Sequence, residues 1–232
     1  MADLQEFGEG IWITDGPEVR DMGIIFTTRM TIVKLSNGAV WLESPIPVAY
    51  DTLKKITGLG PVHYLVAATP RHVWRLDHWH TLFPNAQLWA SHKTVFTLQK
   101  GQLPFTGFLG DVPPEIWAND FDQLLIKGNP LLSEVLFLHK KSGTVILGDI
   151  IQNNPISTNP LRNALFKMEG VLTPDGGVPL DIRLTITNRR MARQSLEKLL
   201  SWDFDKVIIA HGPCIEKNAR AVIEHDFKWL MR

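Results

Sequence analysis

Three side chains that bind metal ions well each follow directly on an apolar run of the sequence. His72 comes after residues 65–71 (Leu-Val-Ala-Ala-Thr-Pro-Arg), Asp149 closes the run Thr144-Val145-Ile146-Leu147-Gly148, and His211 lies between Val207-Ile208-Ile209-Ala210 and Gly212-Pro213. Two imidazoles and a carboxylate suit zinc or iron, because strands fix the donor positions while the loops beyond them leave a coordination place for water. A metal held there lowers the pKa of a bound water, so that hydroxide is available near neutral pH to attack an ester, amide, thioester or phosphoester. In this scheme Asp149 is both a metal ligand and the catalytic residue. Glu134, which opens an apolar segment next to the Gly148-Asp149 turn, is a fourth candidate ligand. Each residue also has an ordinary role open to it: histidines after strands often only hydrogen-bond, and Gly-Asp is a common turn. Asp77, His78 and His80 lie close to His72 in sequence, and as solvated helix positions they need no chemistry.

The elements that must position these residues are legible from the hydrophobic pattern. Residues 10–16 alternate apolar and polar, the period of a half-buried strand, and residues 28–35 and 39–42 flank Ser36-Asn37-Gly38, a hairpin turn signal. A short helix is predicted over 50–56, then a strand buried on both faces over 62–68, a helix over 75–82 and a strand over 87–90. Residues 100–115, with three prolines and three glycines, read as an irregular surface loop. Strands follow over 122–126, 134–138 and 144–147, while residues 152–180 show no period and read as a lid or an insertion. Thr187 or Asn188 caps a helix that reaches Leu200; a strand over 207–210 and a last helix over about 215–230 complete the chain. Two mixed β-sheets flanked by helices, an α/β sandwich of four layers, satisfy this order.

The order of the three segments resembles the metallo-β-lactamase superfamily. In that family a hairpin block comes first, a ligand cluster follows a buried strand, and later ligands come from a Gly-Asp turn and a His-Gly turn. Residues 144–149 are similar to its bridging-aspartate turn, and residues 195–212 resemble its final helix, strand and His-Gly. The resemblance runs from about residue 8 to 215. The family's His-x-His-x-Asp-His cluster keeps only its second histidine here, as His72, with Pro70, Trp74 and Arg75 where other ligands would stand. Residues 129–134 occupy the place of the histidine expected before the Gly-Asp turn, and Glu43 stands where a supporting aspartate is usual. Ser44-Pro45-Ile46-Pro47 and the spacing of His72, Trp79 and Pro84 mark a branch with a thinned metal site. The resemblance implies a divalent metal, zinc first, with iron or manganese as alternatives.

Composition bounds the functions. Lysine plus arginine number 24 and aspartate plus glutamate 24, so no net field draws the chain to nucleic acid or an anionic membrane. One cysteine, Cys214, fits a reducing compartment, and the acidic N-terminus and the lack of any long apolar run fit a cytoplasmic protein. A single domain over 1–232 acting on a small molecule is the expectation. Three uses compete: a metal-dependent hydrolase-like protein; a catalytically inactive binding module, its cavity rimmed by Trp74, Trp79 or Trp89; and a non-haem iron redox protein. A thiol nucleophile at Cys214 is disfavoured, because the Gly-Pro turn need not bring it to His211.

Overall fold

The computed structural model describes residues 3–21, 23–73, 75–92 and 103–231. The first strands form an antiparallel meander. β1 (Gln5–Gly8) pairs with β2 (Ile11–Asp21), β2 with β3 (Ile24–Lys34), and β3 with β4 (Val40–Glu43). Beyond Pro45 and Pro47 the chain crosses over through helix α1 (Tyr50–Leu59) to β5 (Val62–Ala67), and through α2 (Leu76–Leu82) to β6 (Gln87–Ser91), both added in parallel. The crossover helices explain why β4 and β5 are apolar on both faces. Trp41, Tyr64 and Val66 point to one side, and Val40, Leu42, Leu65 and Ala67 to the other, where the helices pack.

The region expected as loop over 100–115 contains β7 (Phe105–Leu109), the parallel edge strand of this seven-stranded sheet. Residues 100–102 lie outside the described part. Glycine at 107 permits the strand, since a Cβ there would come within 2.4 Å of the Trp89 ring. Pairing with β6 supplied what composition hid: a partner for the backbone.

The second sheet has the order β11-β10-β9-β8, with β8 (Phe121–Leu125), β9 (Val135–His139) and β10 (Thr144–Leu147) antiparallel and β11 (Lys206–Ile209) parallel to β10. Its inner residues Phe121, Phe137, Ile146 and Ile208 meet Ile11, Val33, Trp41 and Val66 of the first sheet, so one core lies between the sheets. Its outer face is covered by helices later in the chain. These are α3 (Pro160–Glu169), α4 (Leu180–Thr185), α5 (Arg189–Leu200), α6 (Ala219–Asp226) and α7 (Lys228–Met231), of which α4 to α7 pack on that face. The result is the expected four-layer α/β sandwich.

Two further expectations change. Residues 152–180 are not patternless: the Asn159 side chain accepts from the N–H of Leu161 and Arg162 to cap α3, and bridges Gln152↔Gly177 and Asn154↔Leu172 fasten the segment to itself. The final helix starts at Ala219, not near 215, because Ile215 is paired with Val207 of β11. Among the described residues, no helix is long and apolar enough to cross a membrane.

Candidate metal centre

Each of the three sequence candidates leaves the carboxyl end of a strand on the same edge of the sandwich. β5 runs into a 3-10 turn, Pro70–His72, whose start is capped by the Thr69 hydroxyl accepting from the Arg71 N–H. β10 runs into the Gly148-Asp149 turn, and β11 into His211. One ligand atom from each of His72, Asp149 and His211 lies within 4.8 Å of the others. Nε2 of His211 is 3.2 Å and Nε2 of His72 3.5 Å from the same Asp149 Oδ1. Asp149 is 2% exposed, so its charge is balanced locally or not at all.

The hydrogen-bond partners fix which ring nitrogens carry hydrogen. The Nδ1 of His211 is 2.6 Å from the carbonyl oxygen of Thr27, which only accepts, so Nδ1 donates. Nδ1 of His72 is 2.6 Å from Ser44 Oγ, and the Ser44 hydroxyl donates its one hydrogen to Oε1 of Glu43, so Ser44 accepts from His72. In the neutral tautomers both Nε2 lone pairs therefore face a carboxylate oxygen. Three electron-pair donors pointing at one another require a proton or a cation between them. Without a cation the His72 ring takes the proton: burial favours neutral His72, but the charge and hydrogen bond of Asp149, together with Glu43, outweigh it and raise the ring to about 10. Burial pushes the Asp149 carboxyl up, yet the facing His72 and His211 hold it well below the usual carboxylate range. A divalent cation satisfies the same geometry without protons. Two neutral imidazoles, each with its outer N–H held by an oxygen acceptor, and one carboxylate form a donor set that fits a single metal ion.

Glu134 is not part of that set. It is fully buried just before β9, with Oε1 accepting from the Gly148 N–H at 2.8 Å and Oε2 from those of Asp149 and Ile150 at 2.8 and 3.0 Å. Burial, then the charge of Asp149, pushes its carboxyl up to about 8 against the pull of those N–H groups. The expectation that it ligates a metal is corrected: it clamps the turn that presents Asp149. The other Asp149 oxygen accepts from Thr69 Oγ1 at 2.8 Å. A Cβ at Gly148 would sit 2.3 Å from Thr69 Cγ2, so glycine is what lets this turn approach the β5 end.

The His211 turn is held in a similar way. Gly212 has φ +101°, and a Cβ there would lie 1.8 Å from the Asn153 carbonyl oxygen. Arg29 donates through Nη1 to the carbonyls of Ile209 and Gly212 and to Cys214 Sγ, and through Nε to Asp15. Burial pushes the Cys214 thiol up, which disfavours the thiolate that nucleophilic attack requires.

Sequence reasoning placed Glu43 but missed Ser44, Thr69 and Thr27. The signal for Ser44 was its place between Glu43 and Pro45, yet only its positive φ of 54° turns Oγ between two partners. Asp77 and His78 are exposed on α2, and with His80 lie outside the cluster. Two of the three tryptophans expected to rim a cavity do not. Trp79 is buried with Nε1 on the Ile46 carbonyl, Trp89 packs on Trp117, and Trp74 lies outside the described residues. The cavity that does open on the metal centre holds about 650 Å³, and its apolar wall is Pro17, Val19, Phe26 and residues 45–47.

Solved structures with this fold agree with the topology. A metallo-β-lactamase from Pontibacter korlensis superposes with a TM-score of 0.63 at 11% identity, covering 100% of both chains. The mono-zinc form of the metallo-β-lactamase FIM-1 from Pseudomonas aeruginosa gives 0.64 at 12%, over 99% of this chain and 95% of that one. A metal-soaked Flv1 flavodiiron core from Synechocystis sp. PCC6803 gives 0.63 at 9%, over 99% of this chain and 61% of that one. The fold is that of the metallo-β-lactamases. No curated protein matches the chain in sequence. Residues 9–165 match a family model described as a domain of unknown function, DUF4336.

Proposed function

The chain belongs to the DUF4336 family, and we propose that this member is a hydrolase-like protein that holds one divalent metal ion on His72, Asp149 and His211 and acts on a small molecule in the adjoining cavity. The observation that carries the reading is the pair of imidazole lone pairs and the carboxylate oxygen that converge with no hydrogen between them in the neutral tautomers. Zinc suits the donor set, and when bound such an ion supplies a water whose pKa is lowered toward neutrality.

The residues of the chain do the rest. Thr27 and the Glu43-Ser44 pair hold the two imidazoles by their outer N–H groups, which keeps both Nε2 atoms free. Thr69 fixes the second Asp149 oxygen, so one oxygen is left toward the histidines. The side chains at 17, 19, 26 and 46 exclude water from the flank of a bound molecule. The centre is thinner than a two-metal site: three donors suffice for one ion and leave a position open.

The test is the metal content of protein purified without chelator or affinity metal, set beside the His72→Ala, His211→Ala double variant. About one zinc, iron or manganese per chain that is absent from the variant supports the reading. Hydrolysis of an ester panel that stops on chelation and returns with zinc then identifies the reaction. No metal in either protein overturns it in favour of a ligand-binding module, and a coloured, oxygen-sensitive iron preparation overturns hydrolysis in favour of redox chemistry.

A further inference from the structure

The cavity beside the metal centre carries a charge that the chain as a whole does not. Lysine and arginine balance aspartate and glutamate across the sequence, yet the cavity is lined by Arg20, Arg29, Arg71 and Arg75 against Glu18 and Asp149. Asp149 is answered by the two histidines, or by a cation between them. Arg29 is engaged through Nε with Asp15 and through Nη1 with the His211 turn. Arg71 reaches Asp181 at 3.6 Å, a long contact between side chains that are each 54% exposed, and such a pair is weak and easily exchanged. The side chains of Arg20 and Arg75 make no hydrogen bond or ion pair among the described residues. Two unpaired guanidinium groups and one loosely paired one therefore outnumber the single remaining acid, Glu18, over a wall of Val19, Phe26 and Ile46.

We propose that this cavity takes a small molecule with an anionic group, a carboxylate or a phosphate, held by Arg20 and Arg75, and an apolar body laid on Phe26 and Ile46. Guanidinium is the side chain that matches both anions with paired N–H donors, and apolar walls focus its field by keeping water away. A volume of about 650 Å³ is that of a small-molecule site, too small for a folded partner. The two arginines come from distant parts of the chain, the end of β2 and the start of α2, and the fold brings both to the rim of one cavity. The inference rests on the proposed function in naming a substrate class, but the anion site itself needs no metal.

Its test is therefore run on chelator-stripped protein as well as on zinc-loaded protein. Benzoate, phenyl phosphate and the neutral benzamide are titrated by calorimetry against the unaltered protein, Arg20→Ala/Arg75→Ala, Arg20→Lys/Arg75→Lys and His72→Ala/His211→Ala. Both arginines are exposed, so their variants retain the fold, which a melting curve checks. The stripped protein binds one or both anions about tenfold or more tightly than benzamide. That advantage is lost in the double alanine variant, survives in part in the lysine variant and persists in the histidine variant. The stronger of the two anions identifies which acid group the site prefers. Benzamide binding as well as the anions, or anions binding equally to the double alanine variant, overturns the proposal. So does binding that needs zinc and His72 but not the arginines. Anion binding by a protein that takes up no metal refutes the metal centre and leaves the anion site standing.

Discussion

Replacement of Glu134 by alanine separates a clamp from a ligand. The fully buried carboxyl accepts three N–H groups, from Gly148 at 2.8 Å, Asp149 at 2.8 Å and Ile150 at 3.0 Å. Each N–H left buried without an acceptor costs about 1–3 kcal/mol, so three give roughly 3–9 kcal/mol gross. Part of this is offset by the cost of burying the carboxyl, the same cost that raises its pKa to about 8. The expected net loss on Glu134→Ala is about 3–5 kcal/mol, a large share of the roughly 5–15 kcal/mol that holds a domain together. Urea unfolding followed by tryptophan fluorescence reads the loss, with Glu134→Gln intermediate because one carbonyl oxygen survives. Zinc per folded chain stays near one, since the converging atoms belong to His72, Asp149 and His211. A variant within about 1 kcal/mol of the original that no longer takes up zinc would refute the reasoning and make Glu134 a ligand.

Two further outcomes are expected. Ser44→Ala leaves the outer N–H of His72 without its acceptor and the Glu43 carboxylate without its donor; zinc affinity read by chelator competition falls about 10- to 100-fold, and an unchanged affinity would show that Ser44 does not orient His72. His139 is buried, and burial, aided by Lys141 and opposed by Asp120, pushes its ring down to about 4. The unfolded chain, with an ordinary histidine pKa near 6.5, takes up that proton first as pH falls, so the contribution is complete above about 6.5 and lost toward 4. Between pH 7 and 4.5 this amounts to about 2 kcal/mol, and His139→Gln should show a correspondingly smaller drop in urea stability over that interval; an equal drop would place the lost stability elsewhere.

How much of the molecule was written locally depends on the range of the interactions concerned. The strands around Trp41, Val66, Ile146 and Ile208 were legible because alternation and apolar runs are properties of neighbouring residues, and because helices covering both sheets leave no polar face to confuse them. The positions of His72, Asp149 and His211 were legible for the same reason, as each ends such a run. β7 was not, since glycine and proline suppress its local signal and only pairing with β6 supplies its hydrogen bonds. Nor was the task of Glu134: the same carboxyl would serve as ligand or clamp, and what decides is a turn 14 residues away that presents three N–H groups to it. The hydrogens on the two histidines were decided at still longer range, His72 by Ser44 across 28 residues and His211 by Thr27 across 184. Sequence thus set which side chains reach one edge of the sandwich. Tertiary structure decided which of their atoms face one another, because a tautomer is chosen by whichever acceptor the fold places behind the ring.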